Sequence, residues 1–120
     1  MTKILIAEDD QFLANAYRVK FEIEGFEVKI AYDGEEAIAT LSSYLPDILI
    51  LDLVMPKKDG FATLKEIKSN PSFAKIPVVV TSNLSQPSDF TKAKDLGAID
   101  YLVKSETPIS EIVNKIRGYI

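Results

Sequence analysis

Five short apolar runs punctuate this sequence, and between them apolar residues recur every three or four positions. The runs are Ile4–Ala7, Phe26–Ala31, Ile48–Leu51, Val78–Val80 and Ile99–Val103. Several are continuous rather than alternating in polarity. Successive side chains of a strand point to opposite sides, so a continuous apolar run predicts a strand buried on both faces. The intervening segments read as helices. Phe12 to Glu24 carries a broad apolar face of Phe12, Leu13, Ala16, Val19 and Ile23. Asp33 to Leu45 aligns Ala37, Ile38, Leu41 and Leu45, and opens with Asp33-Gly34-Glu35-Glu36, the acid-x-x-Glu form of a capping box. Phe61, Leu64 and Ile67 mark a third helix. Phe90, Ala93 and Leu96 mark a fourth, with Gly97 placed to end it. Ile109, Ile112, Val113, Ile116 and Ile120 form the last stripe, with Thr107 as predicted N-cap and Pro108 in the first turn.

Five strand–helix pairs with short connectors predict an α/β fold, a doubly wound five-stranded parallel sheet with five helices on its two faces. The alternation alone leaves two strand orders open, 2-1-3-4-5 and a Rossmann-like order. In both, ligands sit beyond the C-terminal ends of the strands, so the residues that end each strand carry the functional argument. A length of 120 residues predicts one domain, 1–120, burying roughly two thirds of the surface its unfolded form exposes.

Composition removes several chemistries. With no Cys there are no disulfides, thiolate metal sites or thiol nucleophiles. With no His there is no Ser-His-Asp catalysis, no His-ligated zinc and no phosphohistidine on this chain. Fourteen basic against 18 acidic residues give a net charge of −4, which argues against a nucleic-acid partner. The apolar start Ile4–Ala7 is cut short by Glu8-Asp9-Asp10, so it is no signal peptide, and no later run approaches the length that spans a bilayer. The expectation is a cytoplasmic protein with no membrane partner.

The strand ends are polar. The first ends in Glu8-Asp9-Asp10, the third in Asp52, the fourth in Thr81-Ser82-Asn83 and the fifth in Lys104. Two like charges ~4 Å apart repel by about 4 kcal/mol at an effective dielectric near 20, so gathered carboxylates need raised pKa values or a cation. Hard oxygen donors suit Mg²⁺. A carboxylate beside such an ion can act as a nucleophile toward phosphorus, and an ammonium and a hydroxyl can hold the transferred phosphoryl oxygens.

On these residues the chain resembles the receiver domain of the response regulators of two-component signalling. The resemblance spans the whole chain, and is carried by four motifs in order. They are the acidic pair after strand one, Asp52-Leu53-Val54-Met55-Pro56-Lys57-Lys58-Asp59-Gly60, a Ser/Thr closing strand four, and Asp100-Tyr101-Leu102-Val103-Lys104. It implies strand order 2-1-3-4-5, the flavodoxin-like topology. It also implies that Asp52 is the phosphoacceptor. Asp9 and Asp52 with the Val54 carbonyl bind Mg²⁺, and Glu8 reaches it through water. Lys104 meets the phosphoryl group, with Ser82 as switch hydroxyl and Tyr101 as switch aromatic. Ser82 is preferred to Thr81 because the family places its hydroxyl five residues after the proline opening strand four, here Pro77. Asp10 is assigned to capping the first helix, and Asp59-Gly60 to turn and N-cap chemistry.

The resemblance further implies a donor in trans, a sensor histidine kinase or phosphotransfer protein. The chain would catalyse only its own phosphorylation and dephosphorylation. With the last helix running to Ile120, the expected readout is a downstream protein or a phosphorylation-dependent homodimer. Two residues depart from the family pattern: Asn83 stands where a small residue is usual, and Ser105 where proline is common. They leave an alternative, a degenerate receiver serving as a phosphorylation-independent interaction module. Two other rivals fit less well. A flavodoxin-like cofactor binder needs a phosphate-cradling loop after strand one, where this chain has three acids. A haloacid-dehalogenase-type phosphatase needs a second acid two residues after its nucleophile, where this chain has Val54.

Overall fold

A computed structural model describes residues 1–120. Strands β1 (Lys3–Ala7), β2 (Glu27–Ala31), β3 (Ile48–Asp52), β4 (Val78–Ser82) and β5 (Asp100–Val103) alternate with helices α1 (Gln11–Ile23), α2 (Gly34–Leu41), α3 (Gly60–Ser69), α4 (Pro87–Asp95) and α5 (Ile109–Arg117). The sheet is parallel throughout, in the order β2-β1-β3-β4-β5. This is the flavodoxin-like order implied by the family resemblance. No helix is long and apolar enough to cross a membrane.

The continuous apolar runs are explained by two cores, one on each face. Ile4, Ile6, Ile48, Ile50 and Val79 pack with Tyr17 and Phe21 of α1 and Ile112, Val113 and Ile116 of α5. Their strand neighbours Leu5, Ala7, Leu49, Leu51, Val78 and Val80 pack on the other face with Ala37 and Leu41 of α2, Leu64 and Ile67 of α3, and Ala93 of α4. All five residues of β3 and of β4 are buried. Each fully buried aliphatic or aromatic side chain contributes about 1.5–3 kcal/mol.

Three details differ from the sequence reading. Helix α1 carries two apolar stripes, and the inward one is Ala14, Tyr17 and Phe21, not the predicted face. Phe12 is 92% exposed, and Val19 and Ile23 also face solvent. Both stripes have helical spacing, so periodicity finds the helix without choosing its face; the two large rings fill the gap above the sheet. Helix α2 stops at Leu41, which leaves Leu45 exposed. At α5 the N-cap position belongs to Pro108 rather than Thr107, and no side chain caps it. Thr107 is instead tied to the single 3₁₀ turn Lys104–Glu106, its amide donating to the Lys104 carbonyl. Ile120 lies beyond the helix and is exposed.

The other caps follow the sequence. Asp10 accepts from the amides of Phe12 (3.0 Å) and Leu13 (3.1 Å), Asp33 from Glu36 (2.8 Å), and Asp59 from Ala62 (2.8 Å). Gly97 closes α4 at φ +108°, a conformation L side chains rarely adopt.

Candidate functional site

Helix α1 leaves β1 over one face of the sheet, and α3 leaves β3 over the other. The chain therefore parts between β1 and β3, and a crevice opens at their C-terminal ends, the topological switch point of an open α/β sheet. Its walls include Glu8, Asp9, Asp52, Val54, Ser82, Asn83 and Lys104. Every residue the sequence singled out for phosphoryl or metal chemistry thus meets at one place. Tyr101 is not part of the wall, and its hydroxyl meets the backbone of Leu84, which is.

Asp52 is the last residue of β3 and is 4% exposed. Its Oδ2 lies 3.1 Å from Lys104 Nζ, and its Oδ1 accepts from the Val54 amide at 3.3 Å. Lys104 Nζ also donates to Glu8 Oε1, so one ammonium bridges two buried carboxylates. The second oxygen of Glu8 accepts from the Asp10 amide at 3.1 Å. Burial pushes the Glu8 carboxyl up to about 7, opposed by Lys104 and reinforced by the charge of Asp52. Burial raises Asp52 too, against the opposing pull of Lys104. Burial alone would lower Lys104, but its hydrogen bond to Glu8 and the charge of Asp52 outweigh it, and the ammonium sits above its ordinary range.

The acids fit a hard divalent cation. One carboxylate oxygen from each of Glu8, Asp9 and Asp52 lies within 4.8 Å of the others. Asp9 is exposed and Glu8 and Asp52 are buried, so the cluster faces solvent on one side. Three acids against one ammonium leave negative charge over, and oxygen donors open to water suit Mg²⁺. The oxygens of Glu8 and Asp52 already meet Lys104 and backbone amides, and the exposed Asp9 stands on the open side of the cluster.

Alternation along β4 decides between the two hydroxyls. Val79 belongs to the α1/α5 side and Val80 to the other. Thr81 follows Val79 and does not reach the crevice, whereas Ser82 does. Ser82 Oγ accepts from the Leu84 amide at 3.1 Å, and the Tyr101 hydroxyl donates to the Leu84 carbonyl at 2.6 Å. The Tyr101 ring packs edge-on against Phe90 of α4, with centroids 4.6 Å apart. Leu84 thus links Ser82 to Tyr101 through its backbone. No side-chain type could signal this link, and the sequence reading missed it.

Gly60 explains its place in the Asp52 block. Its amide donates to the Leu53 carbonyl at 2.8 Å. A Cβ there would stand 2.2 Å from the Asp52 carbonyl oxygen and 2.5 Å from Leu53 Cα. Those are backbone atoms that cannot swing aside. Gly60→Ala is expected to destabilise the fold by about 3 kcal/mol, through overpacking. Urea unfolding measures this, and a loss below about 1 kcal/mol would show that the segment relaxes freely. Beside it the chain turns tightly at Lys57, where φ is +65°. Lys57 is exposed and lies 3.6 Å from Asp33, and Lys58 pairs with Glu66.

Comparison with known proteins bears on the family and the fold. The family described as the response regulator receiver domain matches residues 4–117. The transcriptional regulatory protein CpxR of Klebsiella pneumoniae subsp. pneumoniae (strain HS11286) is 38% identical over 120 residues, which are 100% of this chain and 50% of that protein. The receiver domain of the Francisella response regulator 1452 superposes with a TM-score of 0.91 at 28% identity, covering 99% of this chain and 96% of that one. The Mn(2+)-bound form of response regulator Rcp1 superposes with a TM-score of 0.85 at 31% identity, covering 98% and 91%. The chain spans about half the length of several curated relatives it matches. A family match over nearly the whole sequence, on the flavodoxin-like topology those structures share, makes this chain a member of the receiver-domain family of two-component response regulators.

Proposed function

We propose that Asp52 accepts a phosphoryl group from a phosphohistidine on a sensor histidine kinase or phosphotransfer protein, and that this switches a partner-binding surface. One observation carries the reading. Asp52 is a buried strand-end carboxylate with the Lys104 ammonium 3.1 Å away and oxygens of two further acids within 4.8 Å of it. An Asp52 oxygen bonds to phosphorus as the P–N bond to the donor imidazole breaks, and that nitrogen keeps the electron pair. Asp9, Asp52 and the Val54 carbonyl would hold Mg²⁺, with Glu8 acting through water, and the ion would supply positive charge for the phosphoryl oxygens. That a similar response regulator is known in an Mn(2+)-bound form supports a role for a divalent cation.

The chain's own groups do the rest. Lys104 turns from Asp52 to the transferred oxygens, which carry more charge than the carboxylate they replace. Ser82 donates its hydroxyl proton to the same oxygens, while its oxygen keeps the Leu84 amide. A shift of Ser82 reaches Tyr101 through Leu84, and Tyr101 reaches α4 through Phe90. The surface of α4, β5 and α5 is then biased between two packings. The readout is a downstream protein or a second copy of the chain. The chain acts only on itself, catalysing its own phosphorylation and dephosphorylation. Val54 in place of a second acid supports this.

The test is incubation with acetyl phosphate and intact mass measurement. One phosphoryl group is expected with Mg²⁺ and none with a chelator in excess; labelling that ignores the chelator would sink the metal-dependent reading. Asp9→Ala is expected to weaken Mg²⁺ binding by more than about tenfold, followed by amide shifts of the crevice residues. Unchanged affinity would remove Asp9 from the ligand set.

A further inference from the structure

The two residues that depart from the family pattern touch each other. The backbone amide of Ser105 donates to Asn83 Oδ1 at 2.9 Å, across 22 positions of sequence. Asn83 follows Ser82 in the loop after β4, and Ser105 follows Lys104 in the loop after β5. The bond therefore ties the loop that follows the crevice hydroxyl at the end of β4 to the 3₁₀ turn that opens with the crevice ammonium. A proline at 105 would have no N–H to give.

This contact fixes which way the Asn83 amide faces. An N–H can only be met by the carbonyl end, so the oxygen is committed to Ser105 and the NH₂ end is left free. That NH₂ donates to no atom of the protein, and Asn83 is part of the crevice wall. The side chains around it are mostly acceptors: Glu8, Asp9, Asp10 and Asp52 line the crevice against Lys104 as the single cation. A phosphoryl group brings three more acceptor oxygens.

We propose that Asn83 is a ligand for the anion bound in this crevice, its NH₂ donating to a phosphoryl oxygen, and that the Ser105 amide is what orients it. The inference rests on the reading of Asp52 as phosphoacceptor, and adds to it a side-chain donor beside Lys104 and Ser82. Asn83 and Ser105 act as a pair. The bulk at 83 is of use as a donor because 105 has kept an N–H to hold it.

Beryllofluoride with Mg²⁺ serves as the probe, a tetrahedral mimic of a phosphoryl group on a carboxylate. The Asn83 side-chain NH₂ resonances, assigned by their loss in Asn83→Ala, are expected to shift on its addition to the full chain. Asn83→Ala is expected to bind it about tenfold more weakly, as for loss of a donor to a charged acceptor. Ser105→Ala keeps the amide and should bind as wild type does. Ser105→Pro removes it and should weaken binding several-fold. The double variant Asn83→Ala/Ser105→Pro should be no weaker than Asn83→Ala, because both changes break one interaction. Exchange of the Ser105 amide proton should quicken in Asn83→Ala whether or not an anion is bound. If wild type binds beryllofluoride and Asn83→Ala binds it equally, the ligand role is wrong while the phosphoacceptor reading stands. If wild type fails to bind it, both are wrong. A loss in Ser105→Ala, or full additivity in the double variant, would break the pairing.

Discussion

Asp52→Asn is expected to take up no phosphoryl group from acetyl phosphate under conditions that label wild type once. The substitution is close to isosteric, so the amide still fills the end of β3 and its oxygen can still accept from Val54. What it lacks is a nucleophilic anion. An amide oxygen does not form a stable phosphoryl ester, and the loss is all or none rather than graded. The neighbouring acids are not expected to substitute: Glu8 stays hydrogen-bonded to Lys104 and to the Asp10 amide, and Asp9 is exposed with no ammonium paired to it. Folding should change little. Asp52 is held above its ordinary pKa by burial, so replacing it with a neutral group relieves a cost while leaving Lys104 paired to Glu8. Intact mass with wild type in parallel decides the matter. Equal labelling of both proteins would move the phosphoacceptor elsewhere.

Lys104→Met should carry the second largest effect. Methionine keeps much of the length and apolar stem of lysine and removes the charge. The crevice then has no side-chain cation at all, and a transferring phosphoryl group loses its one charged protein donor. One such contact is worth about 10²–10³ in rate at a transition state, so initial labelling by acetyl phosphate should slow by that order. Stability falls as well, because Glu8 and Asp52 are left buried without their shared partner. Removing one member of a buried ion pair costs about 3–5 kcal/mol when the remaining charge stays. Here a carboxyl can take up a proton and Lys104 retains some exposure, so about 2 kcal/mol is expected from urea unfolding. A labelling rate within twofold of wild type would take Lys104 out of the chemistry and leave it a structural counter-ion.

Much of the site was legible because of where apolar runs stop. Asp52 directly follows Ile48-Leu49-Ile50-Leu51, and Glu8 directly follows Ile4–Ala7. A carboxylate at the edge of a run buried on both faces has to lie at the rim of the sheet. The choice of Ser82 over Thr81 came from the family's spacing after Pro77, and period-two alternation then sends Thr81 to the opposite face. Asn83 and Ser105 were visible as separate departures, but their contact was not, because the chain between them makes a whole helix and strand before returning.

By itself the sequence determined the element order, the double-sided burial of the strands, the caps at Asp10, Asp33 and Asp59, and the set of polar residues at the strand ends. All of these are local, written in spacing over a few residues. The tertiary structure decided what depends on closure of the sheet. It chose the Tyr17–Phe21 stripe of α1 over the Phe12–Ile23 stripe, because only packing against strands selects between two faces of equal periodicity. It brought Lys104 onto Glu8 across 96 positions, joined Ser82 to Tyr101 through a backbone group, and set Asn83 against Ser105. Contacts between distant residues follow from the geometry of neighbouring strands, and that geometry exists only once the whole core has formed.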